Sequence, residues 1–237
     1  MSKTNDVSEA KVQEIFNHIA GDYDKVNSLI SMGTHRKWRA QATKEINPNI
    51  DSILDLCCGT GDWTLEILKQ VSTNTKVTAL DFSEGMLDIA KQKLQKNNYQ
   101  DRVDFIQGDA MKLPFEDNTF DAVTIGFGLR NVPDVNTVLS EIYRVTKPGG
   151  VLISLDAFKV ETPIIKTGWK FYFGKIMPLI GRVFNHNAKD EYEYLNSSVN
   201  HFVSILELKK MFEATGFKEV RIKKYIFGSA AMHVGKK

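Results

Sequence analysis

Only two cysteines occur in the sequence, and they are neighbours, Cys57 and Cys58. That scarcity excludes a disulfide framework and fits a reducing cytosol, and the pair alone cannot build a metal site. An excess of one charge is lacking too. Against 29 acids stand 31 lysines and arginines, and the net charge of +2 gives no electrostatic case for nucleic acid. No apolar run approaches the roughly 20 residues that span a bilayer. The polar stretch 1–10 has no apolar core, so no secretory signal is expected. Repeats and low-complexity linkers are absent as well. A chain of 237 residues can bury one substantial core, which points to a single domain with an elaboration.

Two further absences narrow the ligand. Ile53-Leu54-Asp55-Leu56 reads as an apolar strand running into Cys57-Cys58-Gly59-Thr60-Gly61-Asp62, a glycine turn with an acid on each side. Glycines at i and i+2 allow a tight turn and let backbone N–H groups approach a ligand. The third glycine of a dinucleotide fingerprint is replaced by Thr64, and the lysine and hydroxyl residue of a phosphate P-loop are missing after Gly61. Asp55 and Asp62 would repel two phosphates through a low-dielectric pocket. S-adenosylmethionine, with an ammonium, a sulfonium and no phosphate, suits these acids better.

What is present supplies the cofactor's other end. Lys76 to Asp81 is a second short apolar strand ending in an acid, and a carboxylate there can accept both ribose hydroxyls. Val103 to Ile106 leads into Gly108-Asp109-Ala110, where a carboxylate beside a backbone N–H matches the donor and acceptor of adenine. Asp121 to Ile125 runs into Gly126-Phe127-Gly128, and Val151 to Leu155 follows the turn Lys147-Pro148-Gly149-Gly150. Taken singly, each acid also reads as a helix cap or turn residue. Helical spacing covers Val12 to Ala20, Thr34 to Ile46, Trp63 to Val71, Ser83 to Lys96 and Val135 to Val145, with Ser83 as an N-cap. Strand-helix alternation predicts a mostly parallel, doubly wound sheet with ligands at the strand carboxyl ends.

Several segments carry a closer resemblance. They are Tyr23-Asp24-Lys25-Val26-Asn27 with Ser31, His35 and Trp38; the loop from Asp55 to Thr64; Asp81-Phe82-Ser83; Gly108-Asp109-Ala110-Met111; the run Ile125 to Pro133; and Ala230-Ala231-Met232-His233. The chain is similar in these to the C-methyltransferases of menaquinone and ubiquinone biosynthesis, and to the demethylmenaquinone methyltransferases among them most closely. Gly128-Leu129-Arg130-Asn131-Val132-Pro133 is far more family-specific than the cofactor loop. The chain departs from the family at Val26, Thr146, Asp156, Phe158-Lys159 and Val203, where methionine, an aliphatic residue, glutamate, Ser-Gln and proline are expected.

The resemblance implies a class I Rossmann-like methyltransferase that uses S-adenosyl-L-methionine to C-methylate a polyprenylated naphthoquinol, demethylmenaquinol. A benzoquinol or another small aromatic acceptor is the alternative. An RNA or metabolite methyltransferase and a non-catalytic cofactor-binding regulator are the other classes in view. Asp55, Gly59, Thr60, Gly61, Asp81, Phe82, Asp109, Ala110 and Gly126 are then expected to hold the cofactor.

C-methylation needs a neighbouring hydroxyl to lose its proton. Arg130 is the first choice to stabilise the phenolate, Asn131 to orient the same oxygen, and His233 to act as base. Tyr23 would close the site, and Asp62 would hold the methionine ammonium or assist proton transfer. Arg130 in a structural ion pair, His233 as a core residue and Tyr23 as packing are the competing accounts.

The expected organisation is an N-terminal helical cap over 1–50, a cofactor core over 51–160, a helical insertion over 161–203, and a C-terminal helix with strands over 204–237. Within the insertion, Pro163 to Phe184 mixes aromatics with lysines and is broken by Gly174, Pro178 and Gly181, so it would lie on a membrane surface without spanning it. Covering the sheet or a homodimer interface is the plainer reading of those aromatics. A cytoplasmic location, at the inner face of the plasma membrane if the insertion binds lipid, follows.

Overall fold

Residues along the first strand, β1 (Ser52–Leu56), alternate between two apolar layers: Ile53 belongs to one and Leu54 and Leu56 to the other. Period-two alternation with both faces buried is the signature of a sheet covered by helices on each side. The computed structural model, which describes residues 9–160 and 197–237 together with Tyr194, has that architecture.

Its helices are α1 (Glu9–Ile19), α2 (Tyr23–Ile30), α3 (Thr34–Thr43), α4 (Asp62–Gln70), α5 (Glu84–Lys96), α6 (Val135–Val145) and α7 (Ile205–Thr215). The further strands are β2 (Lys76–Asp81), β3 (Val103–Gln107), β4 (Phe120–Gly126), β5 (Thr146–Ala157), β6 (Lys218–Tyr225) and β7 (Ala230–Lys236). The sheet order is β3-β2-β1-β4-β5-β7-β6. β1 to β5 run parallel, and β7 pairs antiparallel with both β5 and β6. The chain winds outward from β1 to β3, then returns to the other side of β1 with β4. That reversal is the topological switch point, and it opens a crevice at the carboxyl ends of β1 and β4.

α6 and α7 bury Val138, Leu139, Ile142, Leu208 and Phe212 against one face, while α3, α4 and α5 bury Ala42, Ile67, Leu68, Leu87 and Leu94 against the other. α1 packs outside α5 through Val12, Ile15 and Phe16, which meet Met86 and Tyr194.

Three boundaries differ from the sequence expectation. The polar segment after α1 is helical, as α2, because no glycine or proline lies between Tyr23 and Ile30 to stop it. α3 ends at Thr43; Glu45 and Ile46 continue it only as turns bonded to Ala42 and Thr43, ahead of Pro48. β5 begins at Thr146, and the expected turn Lys147-Pro148-Gly149-Gly150 is an irregularity within it, since pairing with β4 jumps from Phe120↔Thr146 to Ala122↔Val151. The stretch Pro163 to Phe184, expected to face a membrane, lies outside the described residues, as does most of the 161–203 insertion.

Ser83 ties two layers together. Its hydroxyl accepts from Met86 N at 3.2 Å as the N-cap of α5 and donates to Asn17 Oδ1 of α1 at 2.6 Å. Ser83→Ala is expected to cost about 1–2 kcal/mol, read as a lower midpoint in urea with unchanged slope. An unchanged midpoint would mean that neither bond contributes.

Candidate active site

The loop after β1 is shaped by left-handed backbone at Cys57, Gly59 and Gly61, with φ of +54°, +55° and +76°. Gly61 also sits against α5: a Cβ there would lie 3.0 Å from the Ala90 Cβ, so only glycine allows so close an approach. Asp81, at the end of β2, closes the turn. One carboxylate oxygen accepts from Gly59 N at 2.8 Å and the other from Ser83 N at 3.0 Å. Asp55 lies beneath the loop, accepting from Thr64 Oγ1 at 2.6 Å and Thr124 Oγ1 at 2.7 Å. Burial pushes both carboxyls up to about 6, and these hydrogen bonds only partly oppose it.

At the end of β3, the exposed Asp109 accepts from Met111 N at 2.8 Å and the following Ala110 is buried. Phe82, half-buried, packs edge-on against Phe16 at 6.1 Å, and its carbonyl accepts from Gln13 and Gln107. Gly126 ends β4, and Phe127 follows it in the left-handed region at φ +60°. The sequence-predicted cofactor residues are thus gathered at the carboxyl ends of β1 to β4. Buried acids whose ionisation is penalised are offset by a cationic ligand, so this donor set fits S-adenosylmethionine, with its ammonium and sulfonium, and disfavours a pyrophosphate.

The N-terminal helices cover the loop through charged contacts. Lys93 of α5 donates to Asp24 Oδ2 of α2 at 2.6 Å, to Thr60 Oγ1 at 3.2 Å and to Asp62 Oδ1. Thr60 in turn donates to Asp24 at 2.5 Å. Lys93 is the main reason that Asp62 titrates below its ordinary range in spite of burial. From α3, Arg39 contacts His35 Nδ1 and approaches Asp62 Oδ2 at 3.8 Å. Tyr23, buried, packs edge-on against Phe16 at 6.0 Å, and its ring lies 3.9 Å from where a Cβ on Gly59 would stand.

Beyond β4 the chain makes a 3-10 turn, Leu129–Asn131. Arg130, 5 % exposed, donates to Asp156 Oδ1 at 2.7 Å and to the Phe127 carbonyl at 2.8 Å. Burial alone would lower the guanidinium's pKa, but Asp156, with smaller help from the fields of Tyr23 and Tyr194, raises it. Asp156, 1 % exposed, is still pushed up, because its burial outweighs the pairing. Asn131 donates to the same Phe127 carbonyl at 3.0 Å and accepts from the Tyr194 hydroxyl at 3.1 Å. Arg130 and Asn131 therefore meet at the Phe127 carbonyl, with Tyr23 near enough for its field to act on Arg130.

His233 is not part of this group. It is fully buried (0 %), faces α7 alongside Ala231, and lies between the Phe158 and Phe212 rings with Nε2 bonded to the Ile205 carbonyl at 2.9 Å. Strand alternation sends it to the face of the sheet opposite Asp55, and burial depresses its pKa. The structure thus places His233, the expected base, in the core beneath α7 and apart from Arg130 and Asn131.

Sequence reasoning gave no role to Arg39, Lys93, Asp156 or Tyr194. Asp24 and His35 stood in the quoted motif, but Lys93 carried no signal, because its partners Asp24, Thr60 and Asp62 lie 69, 33 and 31 positions away.

A model of the ubiE/COQ5 methyltransferase family matches residues 4–237. The demethylmenaquinone methyltransferase of Lactiplantibacillus plantarum is 48% identical over 227 residues, covering 95% of each chain. That of Lactococcus lactis is 47% identical over 232 residues, 98% of this chain and 91% of the relative. Among solved structures, a S-adenosylmethionine-dependent methyltransferase of Thermotoga maritima superimposes with a TM-score of 0.66 at 21% identity, over 94% of this chain and 99% of that one. One from Methanococcus maripaludis gives 0.65 at 20% identity, over 100% and 97%. These two show the fold. With the loop, the strand-end acids and the Arg130-Asn131 turn in place, a match over nearly its whole length makes the chain a member of the ubiE/COQ5 methyltransferase family.

Proposed function

We propose that this protein methylates a ring carbon of demethylmenaquinol, using S-adenosylmethionine, to complete menaquinone. The observation that carries the reading is the identity of 43–48% to demethylmenaquinone methyltransferases across nearly the full chain. The bound cofactor supplies an electrophilic methyl on a sulfonium.

The chain's own residues do the rest. Asp81, Asp109 and the Gly59–Gly61 backbone orient the nucleoside, while Asp55 and Asp62 favour its positive end. Ring carbons of a quinol become nucleophilic when a neighbouring hydroxyl ionises. Arg130 keeps its charge at the 127–131 turn and lowers the cost of that ionisation through its field, while Asn131 orients the oxygen and Tyr23 and Tyr194 exclude water. The polyprenyl tail of such a substrate lies in the bilayer, so peripheral association of the protein with a membrane completes the reading.

Transfer of labelled methyl to reduced demethylmenaquinone in detergent, beside a ubiquinol precursor, tests the assignment by mass analysis of both products. Labelled menaquinol is expected. Label in the ubiquinol precursor alone, or in neither while the cofactor still binds, would sink the naphthoquinol reading.

A further inference from the structure

Arg39 enters the crevice from α3 with unspent bonding capacity. Its side chain is 8% exposed, its Nε has no partner among the described residues, and its guanidinium carbon lies 5.2 Å above the Phe127 ring. His35 fixes its orientation. An arginine cannot accept a hydrogen bond, so His35 Nδ1 must be the acceptor and Nε2 carries the proton toward Ser28 Oγ at 3.2 Å. Burial first, and Arg39 second, hold His35 down at about 4, which keeps that ring neutral and able to accept.

The carboxylate that faces Arg39 does not satisfy it. Asp62 Oδ2 stands 3.8 Å away, beyond hydrogen-bond length, and the other Asp62 oxygen is taken by Lys93. The pair is held open at the entrance of α4, between the glycine loop and the end of β4. A buried guanidinium with an unpartnered Nε–H beside a carboxylate it cannot reach matches an amino-acid zwitterion, which would place its carboxylate on the first and its ammonium by the second.

We propose that Arg39 binds the α-carboxylate of the cofactor's methionine moiety, with His35 as the residue that positions it. The inference rests on the methyltransferase reading and adds to it a second recognition point, specific for the amino-acid end.

Calorimetric titration of the full chain tests it with three ligands: S-adenosylhomocysteine, its decarboxylated analogue, and 5′-methylthioadenosine, which lacks the amino-acid end. A hydrogen bond between charged groups is worth about 1.5–3 kcal/mol, so loss of the carboxylate is expected to weaken wild-type binding about 10- to 150-fold. In Arg39→Met that discrimination should fall to within about threefold, while methylthioadenosine binds nearly as it does to the wild type. Arg39→Lys, which keeps a charge but loses the planar fork, should retain part of it and stands in if the methionine variant fails to fold. Wild-type protein that binds S-adenosylhomocysteine and its decarboxylated analogue equally would overturn the clamp. So would an Arg39 variant that keeps full discrimination or loses all three ligands alike. Failure of the wild type to bind any of the three would instead remove the methyltransferase reading on which the clamp depends.

Discussion

Arg130→Met is expected to lower the melting temperature by about 6–20 °C, since removing one partner of a buried ion pair costs about 3–5 kcal/mol and each kcal/mol is worth about 2–4 °C at this size. The loss arises less from the missing contact than from Asp156, left without a cation at 1 % exposure. Its carboxyl titrates above its ordinary 3.8 even with Arg130 present, and without it the shift grows. A carboxyl with a raised native pKa binds its proton more tightly folded than unfolded, so stability falls as pH rises toward the native value. The variant should therefore be most stable in acid and worst near neutrality. Arg130→Met combined with Asp156→Leu should recover most of the lost stability, because an apolar pair can replace a buried ionic one at little cost. In the double variant, cofactor binding is expected to persist while methyl transfer is lost, as a fixed cation near the phenolate requires. A single variant that melts within about 2 °C of the wild type would remove the ion-pair argument, and an active double variant would remove the phenolate role.

Asp81→Ala should weaken cofactor binding at least about 100-fold. Two hydrogen bonds to a carboxylate, from the ribose hydroxyls, are worth about 1.5–3 kcal/mol each, and Gly59 N loses the acceptor that fixes the loop. Titration by calorimetry would read the change directly, and less than a tenfold change would displace Asp81 from the nucleoside site.

The wild type carries a second signature of the same acids. Asp55 and Asp81 keep their protons to about pH 6 in the folded chain against 3.8 ordinarily, so between those values the folded state holds more protons and unliganded stability falls as pH rises. Their contribution is fully present below about pH 4 and gone above about 6. A saturating cationic ligand, which favours the ionised acids, should flatten that slope, as melting curves at several pH values would show.

How much of this was readable from the sequence depended on whether the signal was local. β1 to β4 and α4 to α6 followed from alternation, glycine turns and the Ser83 cap, all set within a few residues. The strand-end acids were readable for the same reason, since ligands of an open parallel sheet gather at the carboxyl ends of its strands. α2 was missed although Tyr23, Val26, Leu29 and Ile30 fall at helical spacing, because its polar residues Asp24, Asn27 and Ser28 drew the reading toward a polar connection. Arg130 could be singled out from the sequence, but its partner could not be inferred: Asp156 lies on the neighbouring strand β5, 26 positions on, and appeared only as an aspartate where the family has glutamate. His233 shared a family-like motif with its neighbours, and only the side of β7 on which it falls revealed that it faces α7.

The bridge from Asp24 to Lys93 spans 69 positions, and that separation has a consequence for how the chain is made. Helices α1 to α3 leave the ribosome before any strand exists, yet their partners Thr60, Asp62 and Lys93 belong to β-α units synthesised later. Contacts this distant in sequence form slowly, because loop-closure entropy must be overcome first. During synthesis the cap is an early segment with a late destination, and its apolar Phe16 and Tyr23 stay exposed until α5 has emerged. The element that covers the cofactor loop thus passes through a long unprotected interval, and there a chaperone or a rapid collapse of β1 to α5 would affect the yield of folded protein.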